Sequence, residues 1–161
     1  MKNFLLLVAI VLLNGCSILN DDTGSNSFEA NIGSKTYSAD AHVYQNDVGN
    51  ADIVIIGRKG EWENSQNLTF SITDFDYSTG SYKVRNPSYY EIVGGDAILT
   101  YADIDHDNGV PSVTITKYDT ETYKIKGSFE FDVVVRRPFN DYEPGDEISV
   151  KGNFEAVVAQ P

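Results

Sequence analysis

The densest group of side chains that could do chemistry is an acidic run that carries Asp103, Asp105 and Asp107. Carboxylates at alternate positions of a loop can converge on calcium, which binds about six to eight oxygen atoms. The run begins with the spacing of an EF-hand loop, but Asn108 stands where that loop needs glycine, and Thr114 stands where it needs glutamate. The sequence therefore excludes an EF-hand. It leaves a looser calcium-binding loop or a solvated turn, and we favour the turn because Asp and Asn side chains commonly cap turns.

Aromatic side chains form a second group, because several of them lie in or beside expected loops: Trp62, Tyr77, Tyr82, Tyr89 and Tyr90. Aromatic rings in a row can stack on the faces of sugars, and they can also anchor a peptide or protein partner. Tyrosines of a β-domain also pack at sheet edges with their hydroxyl groups in water, so structural packing is the alternative. We take Trp62, Tyr82, Tyr89 and Tyr90 as the candidate ligand-binding residues.

The groups that most enzymes need are missing from the sequence. His42 and His106 are the only histidines and do not form a pair at metal spacing, whereas a zinc site needs three or four converging ligands. There is no glycine-flanked serine nucleophile and no glycine-rich phosphate loop. Two carboxylates could hydrolyse a glycosidic bond, but nothing selects a pair among the many Asp and Glu residues. We therefore expect no enzymatic activity, with a hydrolase as the least favoured alternative, and no cofactor unless the acidic run binds calcium.

Length and charge narrow the class of protein further. The chain has 161 residues, which is enough for one domain with a core of its own. Its formal net charge is −12. Nucleic-acid binding needs clustered Lys and Arg side chains against the phosphates, so we expect no nucleic-acid partner. An acidic surface of this kind keeps a protein soluble and can recruit cations.

The single cysteine, Cys16, follows an N-terminal segment with the layout of a signal peptide. Lys2 supplies a positive start, and the apolar stretch after it is too short to span a bilayer. The segment Leu13-Asn14-Gly15-Cys16 has an aliphatic residue three positions before the cysteine and a small residue just before it. In these features it resembles the lipobox of bacterial lipoproteins. The resemblance implies that residues 1–15 are removed and that the thiol of Cys16 is lipidated, with acyl chains such as palmitate.

The lipobox resemblance also implies a location and a layout for the mature chain. Residues 16–26 comprise the lipidated cysteine and a flexible polar tether, and residues 27–161 form a single all-β domain. With Cys16 lipidated, the domain has no thiol for a disulfide or a cysteine metal site. We expect the protein in the bacterial cell envelope, anchored by its lipid to the outer membrane on either the periplasmic or the surface-exposed face.

The elements that must position the candidate groups are strands. From Tyr123 to Val135, apolar and polar side chains alternate, which predicts a long strand with one face in a core. Gly127 interrupts the inward row, and a glycine there suggests a bulge or a bend. The run from Ser112 to Tyr118 alternates in the same way and should form an antiparallel hairpin with the long strand.

Two other runs are expected to end early. The Ile- and Val-rich run that starts at Ile53 should stop at Lys59-Gly60, before a polar loop that carries Trp62. The run that starts at Ser81 should be cut at Asn86-Pro87. The number and spacing of such runs predict an all-β fold, either an antiparallel β-sandwich or a flattened β-barrel, with about eight or nine strands.

A short pattern recurs near the end of the chain. Ile125-Lys126-Gly127-Ser128-Phe129-Glu130 matches Val150-Lys151-Gly152-Asn153-Phe154-Glu155, but other echoes are unequally spaced, which argues against a propeller or solenoid. Together with the lipobox and a first strand Ser27–Ile32 that ends in Gly33-Ser34-Lys35-Thr36-Tyr37, the pattern resembles a group of small β-rich Bacteroidetes lipoproteins of uncharacterised function. The resemblance implies an all-β fold and a lipid anchor, and it assigns no catalytic residues.

These observations favour a non-enzymatic, lipid-anchored domain that binds a ligand. Our first hypothesis is a module that binds a glycan or a peptide through the aromatic residues. The alternative is a structural or assembly component of the outer membrane that contacts other envelope proteins through a sheet edge.

Overall fold

A computed structural model describes residues 26–45, 52–104, 111–138 and 141–159 of the chain. Across these residues the regular elements are all strands. This part of the chain contains no helix that is long and apolar enough to cross a membrane. In chain order the strands are β1 (Ser27–Ile32), β2 (Lys35–Gln45), β3 (Ile53–Glu61), β4 (Asn64–Ile72), β5 (Gly80–Val93), β6 (Ala97–Asp103), β7 (Ser112–Asp119), β8 (Lys124–Arg137) and β9 (Glu147–Ala159).

The strands close into an antiparallel barrel of eight strands plus one extra strand. The extra strand arises because β6 and β7 lie one after the other between β5 and β8, and each pairs with both neighbours. On the other side, β1 lies between β9 and β2. Beyond the start of β1, β2 and β9 pair directly and in parallel, with Val43 opposite Val158. The all-β prediction is confirmed, and of the two expected architectures the barrel is the one observed.

The interior of the barrel is filled by side chains from the inward side of each strand. The long alternating run predicted from the sequence is β8, and its inward residues from Ile125 to Val135 are buried. The predicted hairpin is also present, because β7 and β8 pair antiparallel. The register of this pair shifts between Ile115 and Lys117, opposite Gly127, which places the expected irregularity at the predicted position.

The recurring glycine pattern has a packing explanation. In the antiparallel register of β8 and β9, Gly127 lies opposite Phe154 and Gly152 lies opposite Phe129. A Cβ atom on Gly127 would lie 2.8 Å from Phe154 Cζ, and one on Gly152 would lie 2.9 Å from Phe129 Cζ. Each phenylalanine therefore covers the glycine of the opposite strand, and the two copies of the pattern are reciprocal partners in one strand pair.

Two predicted strand ends are wrong. β3 continues through Gly60 to Glu61, which pairs with Asn64, so the expected polar loop is a two-residue turn that carries Trp62. The pairing with β4 supplies backbone hydrogen bonds that outweigh the low strand preference of Lys and Gly.

The second correction concerns β5, which runs unbroken past Asn86 and Pro87. The register with β4 shifts between Thr69 and Ser71, and Asn86 has a φ of 51°. These two features describe a β-bulge, where asparagine tolerates a positive φ and proline need not donate a ladder hydrogen bond.

The two ends of the barrel are finished differently. At one end, which we call the hairpin end, lie the β1–β2, β3–β4 and β5–β6 turns. At the other, the segment between β4 and β5 places Phe75 over the interior with 1% of its surface exposed. The rings of Tyr77, Tyr82 and Tyr118 surround it at centroid distances of 5.3, 5.2 and 5.5 Å. We call this the Phe75 end, and it is sealed by packed aromatic side chains.

Candidate ligand-binding wall

The fold separates the four aromatic residues that the sequence suggested as a ligand site. Tyr89 is 2% exposed and points into the barrel, so it belongs to the core. Tyr82 lies at the Phe75 end, where its ring packs on Phe75. Only Trp62 and Tyr90 lie on the same outer side of the barrel. The structure does not bring all four residues together, because the strand register sends their side chains in different directions.

Tyr82 takes part in a local hydrogen-bond cluster. Its hydroxyl donates to the carboxylate of Asp76, and the hydroxyl of Ser78 donates to the same oxygen at 2.7 Å. The bond from Tyr82, followed by that from Ser78, holds the pKa of Asp76 below its usual value. Burial, with the Asp76 bond second, raises the pKa of Tyr82. This cluster fixes the loop that carries Phe75, so its role is structural.

A row of outward side chains crosses five strands on the side of Trp62 and Tyr90. The register places the members of the row opposite one another, from β2 to β6: Asp40, Arg58, Asn67, Tyr90 and Tyr101. Leu68 and Phe70 on β4 are core residues, so by alternation Asn67 faces outward. Asn67 is nevertheless only 1% exposed. An outward residue with so little exposure must be covered by its neighbours on the outer face.

Arg58 covers Asn67 on the outer face, and Trp62 in turn contacts Arg58. Arg58 Nε donates to Asn67 Oδ1 at 3.2 Å, and Asn67 Nδ2 donates to Ser65 Oγ at 2.9 Å. The guanidinium carbon of Arg58 lies 5.2 Å from the centroid of the Trp62 ring, a cation–π distance. Trp62 itself is 59% exposed. The arginine is thus held between an amide and an indole ring, and most of the indole remains open to solvent.

Further outward residues extend this surface toward the Phe75 end. Val54 and Ile56 on β3 are half-buried on the outer side, next to His42 and Tyr44 on β2. The rings of His42 and Tyr44 are nearly parallel at 7°, with centroids 6.3 Å apart. We call the whole surface the aromatic wall and define it by six residues: Tyr44, Ile56, Arg58, Trp62, Tyr90 and Tyr101.

The aromatic wall ends at an ion pair on β6. Asp103 Oδ1 accepts a hydrogen bond from Arg136 Nε at 2.7 Å, and Oδ2 accepts one from the Tyr101 hydroxyl at 3.1 Å. Burial, and then the bond to Asp103, raises the pKa of Tyr101. Asp103 was predicted as a calcium ligand together with Asp105 and Asp107, which lie outside the described residues. In the part that the structure describes, no group of three or more His, Cys, Asp or Glu side chains could hold a metal ion.

The opposite side of the barrel carries a different surface. Here outward side chains of β1, β7, β8 and β9 form a shallow groove of about 610 Å³. We call it the polar wall and define it by six of its residues: Glu29, Asn31, Ser128, Glu130, Lys151 and Asn153. Next to it, Glu155 forms ion pairs with Lys124 at 2.7 Å and Lys126 at 2.5 Å. The polar wall has short hydroxyl and amide groups and alternating charges, and its defining residues include no aromatic ring.

The aromatic wall is the candidate site, because it combines ring faces with hydrogen-bonding groups. The indole ring of Trp62 is open for stacking on a polyhydroxylated ligand. The guanidinium group of Arg58 and the neighbouring carboxylate of Asp40 can form hydrogen bonds with its hydroxyl groups. Sequence reasoning missed Arg58 and Tyr101. The outward position of Arg58 in the run from Ile53 was a usable signal, but its closeness to Tyr90 depends on pairing between strands.

Comparison of the chain with family models, with curated proteins and with solved structures gives no match. Cys16 and the signal segment lie outside the described residues, so the predicted lipid anchor stays a prediction.

Proposed function

We propose that this protein is a lipid-anchored component of the bacterial cell envelope whose β-domain binds a glycan on the aromatic wall, without catalysing a reaction. The observation that carries the proposal is the row from Arg58 to Tyr101, which Trp62 extends at the hairpin end. Trp, Tyr and Arg are the residue types most enriched in binding hot spots. All three types gather on this wall, and the polar wall is defined by residues of other types.

The geometry favours an extended ligand over a compact one. Strands in a sheet are about 4.8 Å apart, so the full row from Asp40 to Tyr101, over four strand spacings, follows the curved outer face for about 19 Å. Such a length suits several sugar units of an oligosaccharide, whose hydroxyl groups can reach Asp40, Arg58 and the tyrosine hydroxyls in turn. A short peptide is the other ligand that the row could hold, and the assay below separates the two.

The test measures binding of soluble oligosaccharides and peptides to residues 26–161. Binding is monitored by the fluorescence of Trp62, the single tryptophan of the chain. We expect a glycan-dependent change in fluorescence and a rise in melting temperature, because a ligand that binds only the folded state stabilises it. Arg58→Ala and Tyr90→Ala should each lower the affinity for the same glycan about tenfold or more. Lys151→Ala on the polar wall is the matched control and should bind as the wild type does.

The proposal would be overturned by a glycan that binds equally well to Tyr90→Ala and to the wild type, or by a panel in which only peptides bind. The lipid anchor is tested separately. Cys16→Ser should release the full-length protein from the membrane fraction, and continued membrane retention would contradict lipidation at Cys16.

A second function, assembly with another envelope protein, is favoured by one specific observation. Ala97 and Ile98 of β6 pair with β5 on one side, whereas β8 pairs with β6 only from Tyr101 onward. Along this stretch the carbonyl oxygen of Ile98 accepts a hydrogen bond from Arg137 Nη1 at 2.6 Å. Ile98 and Leu99 on this segment are 44% and 56% exposed. An exposed strand edge with apolar side chains is a site where a partner strand can add.

Leu99→Asp distinguishes the assembly function from glycan binding. If this strand edge is used, the substitution should abolish co-purification of a defined envelope partner, and Tyr90→Ala should retain it. If the aromatic wall alone is used, Leu99→Asp should leave glycan affinity unchanged.

A further inference from the structure

The interior at the hairpin end contains a polar cluster, although the rest of the interior is apolar. Gln66 Nε2 donates to Glu91 Oε1 at 2.6 Å, and the Tyr89 hydroxyl donates to the same oxygen at 3.0 Å. The Tyr37 hydroxyl lies 2.8 Å from the carbonyl oxygens of both Gly57 and Gln66. Burial raises the pKa of the Tyr37 and Tyr89 hydroxyls above the usual value for tyrosine. The Phe75 end is sealed with aromatic side chains, so closing the barrel does not require such a cluster.

One buried hydroxyl on β6, the strand next to Tyr89 and Glu91 of β5, is unsatisfied. Thr100 lies on β6 in the stretch where the register of β5 and β6 shifts, between the pairs Tyr90–Tyr101 and Ile92–Ile98. Its Oγ1 atom is buried and has no hydrogen-bond partner among the described residues. An unpaired buried hydroxyl costs free energy, and such groups concentrate where a structure serves a purpose other than stability.

A cavity of about 150 Å³ opens beside the cluster at the hairpin end. Its walls include Ile32, Tyr37, Gln66 and Tyr89. A cavity of about this volume holds a molecule of the size of benzene. Mouths of β-barrels are a common position for small-ligand sites.

Two lysines, Lys35 and Lys59, also line this cavity. By alternation from Tyr37 and Gly57, both lie on the inward side of their strands, where these reach the hairpin end. Neither lysine forms an ion pair within the described ranges. The carboxylate of the adjacent cluster, Glu91, already accepts hydrogen bonds from Gln66 and Tyr89. In a chain with a formal net charge of −12, two lysines that line one cavity and form no ion pair there create a local site for an anion.

We propose that this cavity binds a small organic carboxylate that carries a hydroxyl group at its opposite end. The carboxylate lies between the ammonium groups of Lys35 and Lys59. The hydroxyl points inward and donates to Gln66 Oε1, which is an acceptor because the amide nitrogen of Gln66 donates to Glu91. The rings of Tyr37 and Tyr89 contact each other edge to face at a centroid distance of 6.2 Å, and together they form one wall beside the body of the ligand. The site is separate from the aromatic wall, whose residues lie on the outside of the strands.

The probe for this site is 4-hydroxybenzoate, which has a carboxylate and a hydroxyl at opposite ends of a ring. Its matched control is 4-hydroxybenzamide, which has nearly the same shape and no charge. We expect 4-hydroxybenzoate at millimolar concentration to shift the backbone amide resonances of residues 35–37 and 57–66 in a nitrogen–proton correlation spectrum. We expect the benzamide to shift them far less. Equal shifts with both compounds, or none with 4-hydroxybenzoate, would overturn the proposal.

Substitutions assign the binding to the two lysines. The double variant Lys35→Gln/Lys59→Gln should bind 4-hydroxybenzoate with an affinity about tenfold lower or more. A tenfold loss corresponds to about 1.4 kcal/mol of binding free energy. Lys83→Gln on β5 is the control, since Lys83 is exposed and does not line the cavity. Tyr90→Ala, which should impair the aromatic wall, should leave this binding unchanged, so the two sites can succeed or fail independently. Unaltered affinity in the double variant, with its melting temperature preserved, would exclude the lysines as the site.

Discussion

The aromatic wall and the polar wall are opposite sides of one barrel, and they share a core but not a surface chemistry. Behind both walls the inward side chains belong to the same apolar cluster, from Phe28 on β1 to Phe70 on β4. In front of the core, one side presents Trp62, Arg58 and tyrosines, and the other presents short polar side chains with paired Lys and Glu.

The contrast shows that the fold constrains the inward residues of this barrel but does not determine which residues face outward. The alternation of a strand constrains its inward residues, because they fill a closed volume, and it leaves the outward residues free. Aromatic rings and arginines on one outer side are therefore not explained by closure of the barrel. The polar wall shows how the same barrel appears to solvent when ion pairs and hydroxyl groups cover it.

The largest expected effect is behind the polar wall, at Gly152 in the inward row of β9. A Cβ atom at this position would overlap the carbonyl oxygen of Glu29 and lie 2.8 Å from Ala30 Cα, and these backbone atoms cannot move aside without disrupting β1. Gly152→Ala should therefore destabilise the domain by about 2–3 kcal/mol, as overpacking does. The measurement is urea unfolding, with Ser149→Ala, an exposed change on the same strand, as the control. A wild-type midpoint for Gly152→Ala would mean that β1 and β9 do not approach as closely as described.

The second prediction compares the loss of stability from one asparagine substitution on each wall. Asn67→Ala removes the acceptor of Arg58 and the partner of Ser65 from a covered position, so it should cost about 1–2 kcal/mol. Asn153→Ala removes an exposed amide from the polar wall and should change stability by less than about 0.5 kcal/mol. The melting temperatures of the two variants test the difference. Similar losses in both would show that Asn67 is not covered by Arg58.

The ion pairs beside the polar wall give a pH effect. Lys124, and then Lys126, hold the pKa of Glu155 below its usual value. A carboxyl group whose pKa is lowered in the folded state stabilises the fold above its unfolded pKa of about 4.3, and this stabilisation is lost as the pH falls through the folded pKa. Because the pair is partly exposed, we expect less than about 1 kcal/mol, screened by salt.

The check on this prediction is the stability of Glu155→Gln between neutral pH and pH 3. The variant should lose stability relative to the wild type at neutral pH and match it once Glu155 is protonated. A constant difference across the whole range would rule out the charge of Glu155 as the cause.

The largest contrast between a small effect on stability and a large effect on function is expected at Trp62. Its ring is mostly exposed, and its contact with Arg58 is worth about 0.5–1 kcal/mol at such a site. Trp62→Ala should therefore barely shift the melting temperature while it abolishes glycan binding, which calorimetry can follow in place of fluorescence. A variant that melts much earlier would instead make Trp62 a packing residue.

The fold was largely predictable because alternation and turn residues act locally. The run from Tyr123 to Val135 and its hairpin partner were found in the sequence and are β8 and β7 in the barrel. The predicted breaks at Lys59-Gly60 and Asn86-Pro87 were wrong, because pairing with β4 holds both segments in strands. Residue preferences describe an isolated segment, whereas the neighbouring strand decides whether a glycine or proline ends it.

The candidate site was less predictable, because its parts are distant in the chain. Trp62 and Tyr90 were selected from the sequence, but so were Tyr82 and Tyr89, which the register places at the Phe75 end and in the core. Nothing local distinguishes an outward tyrosine of a wall from one at a barrel end. The hairpin-end cavity was not visible at all, since Lys35, Lys59 and Gln66 meet only when β2, β3 and β4 are paired.

The sequence by itself determined an all-β domain, the positions of most strands and the face of each that enters the core, because inward side chains must be apolar to be buried. The tertiary structure alone decided that the strands close into a barrel, that Gly127 and Gly152 each receive a phenylalanine from the other strand, and that Arg58 joins Trp62 and Tyr90 on one wall. These outcomes depend on strand register, and register is set by how all the strands fit around one core.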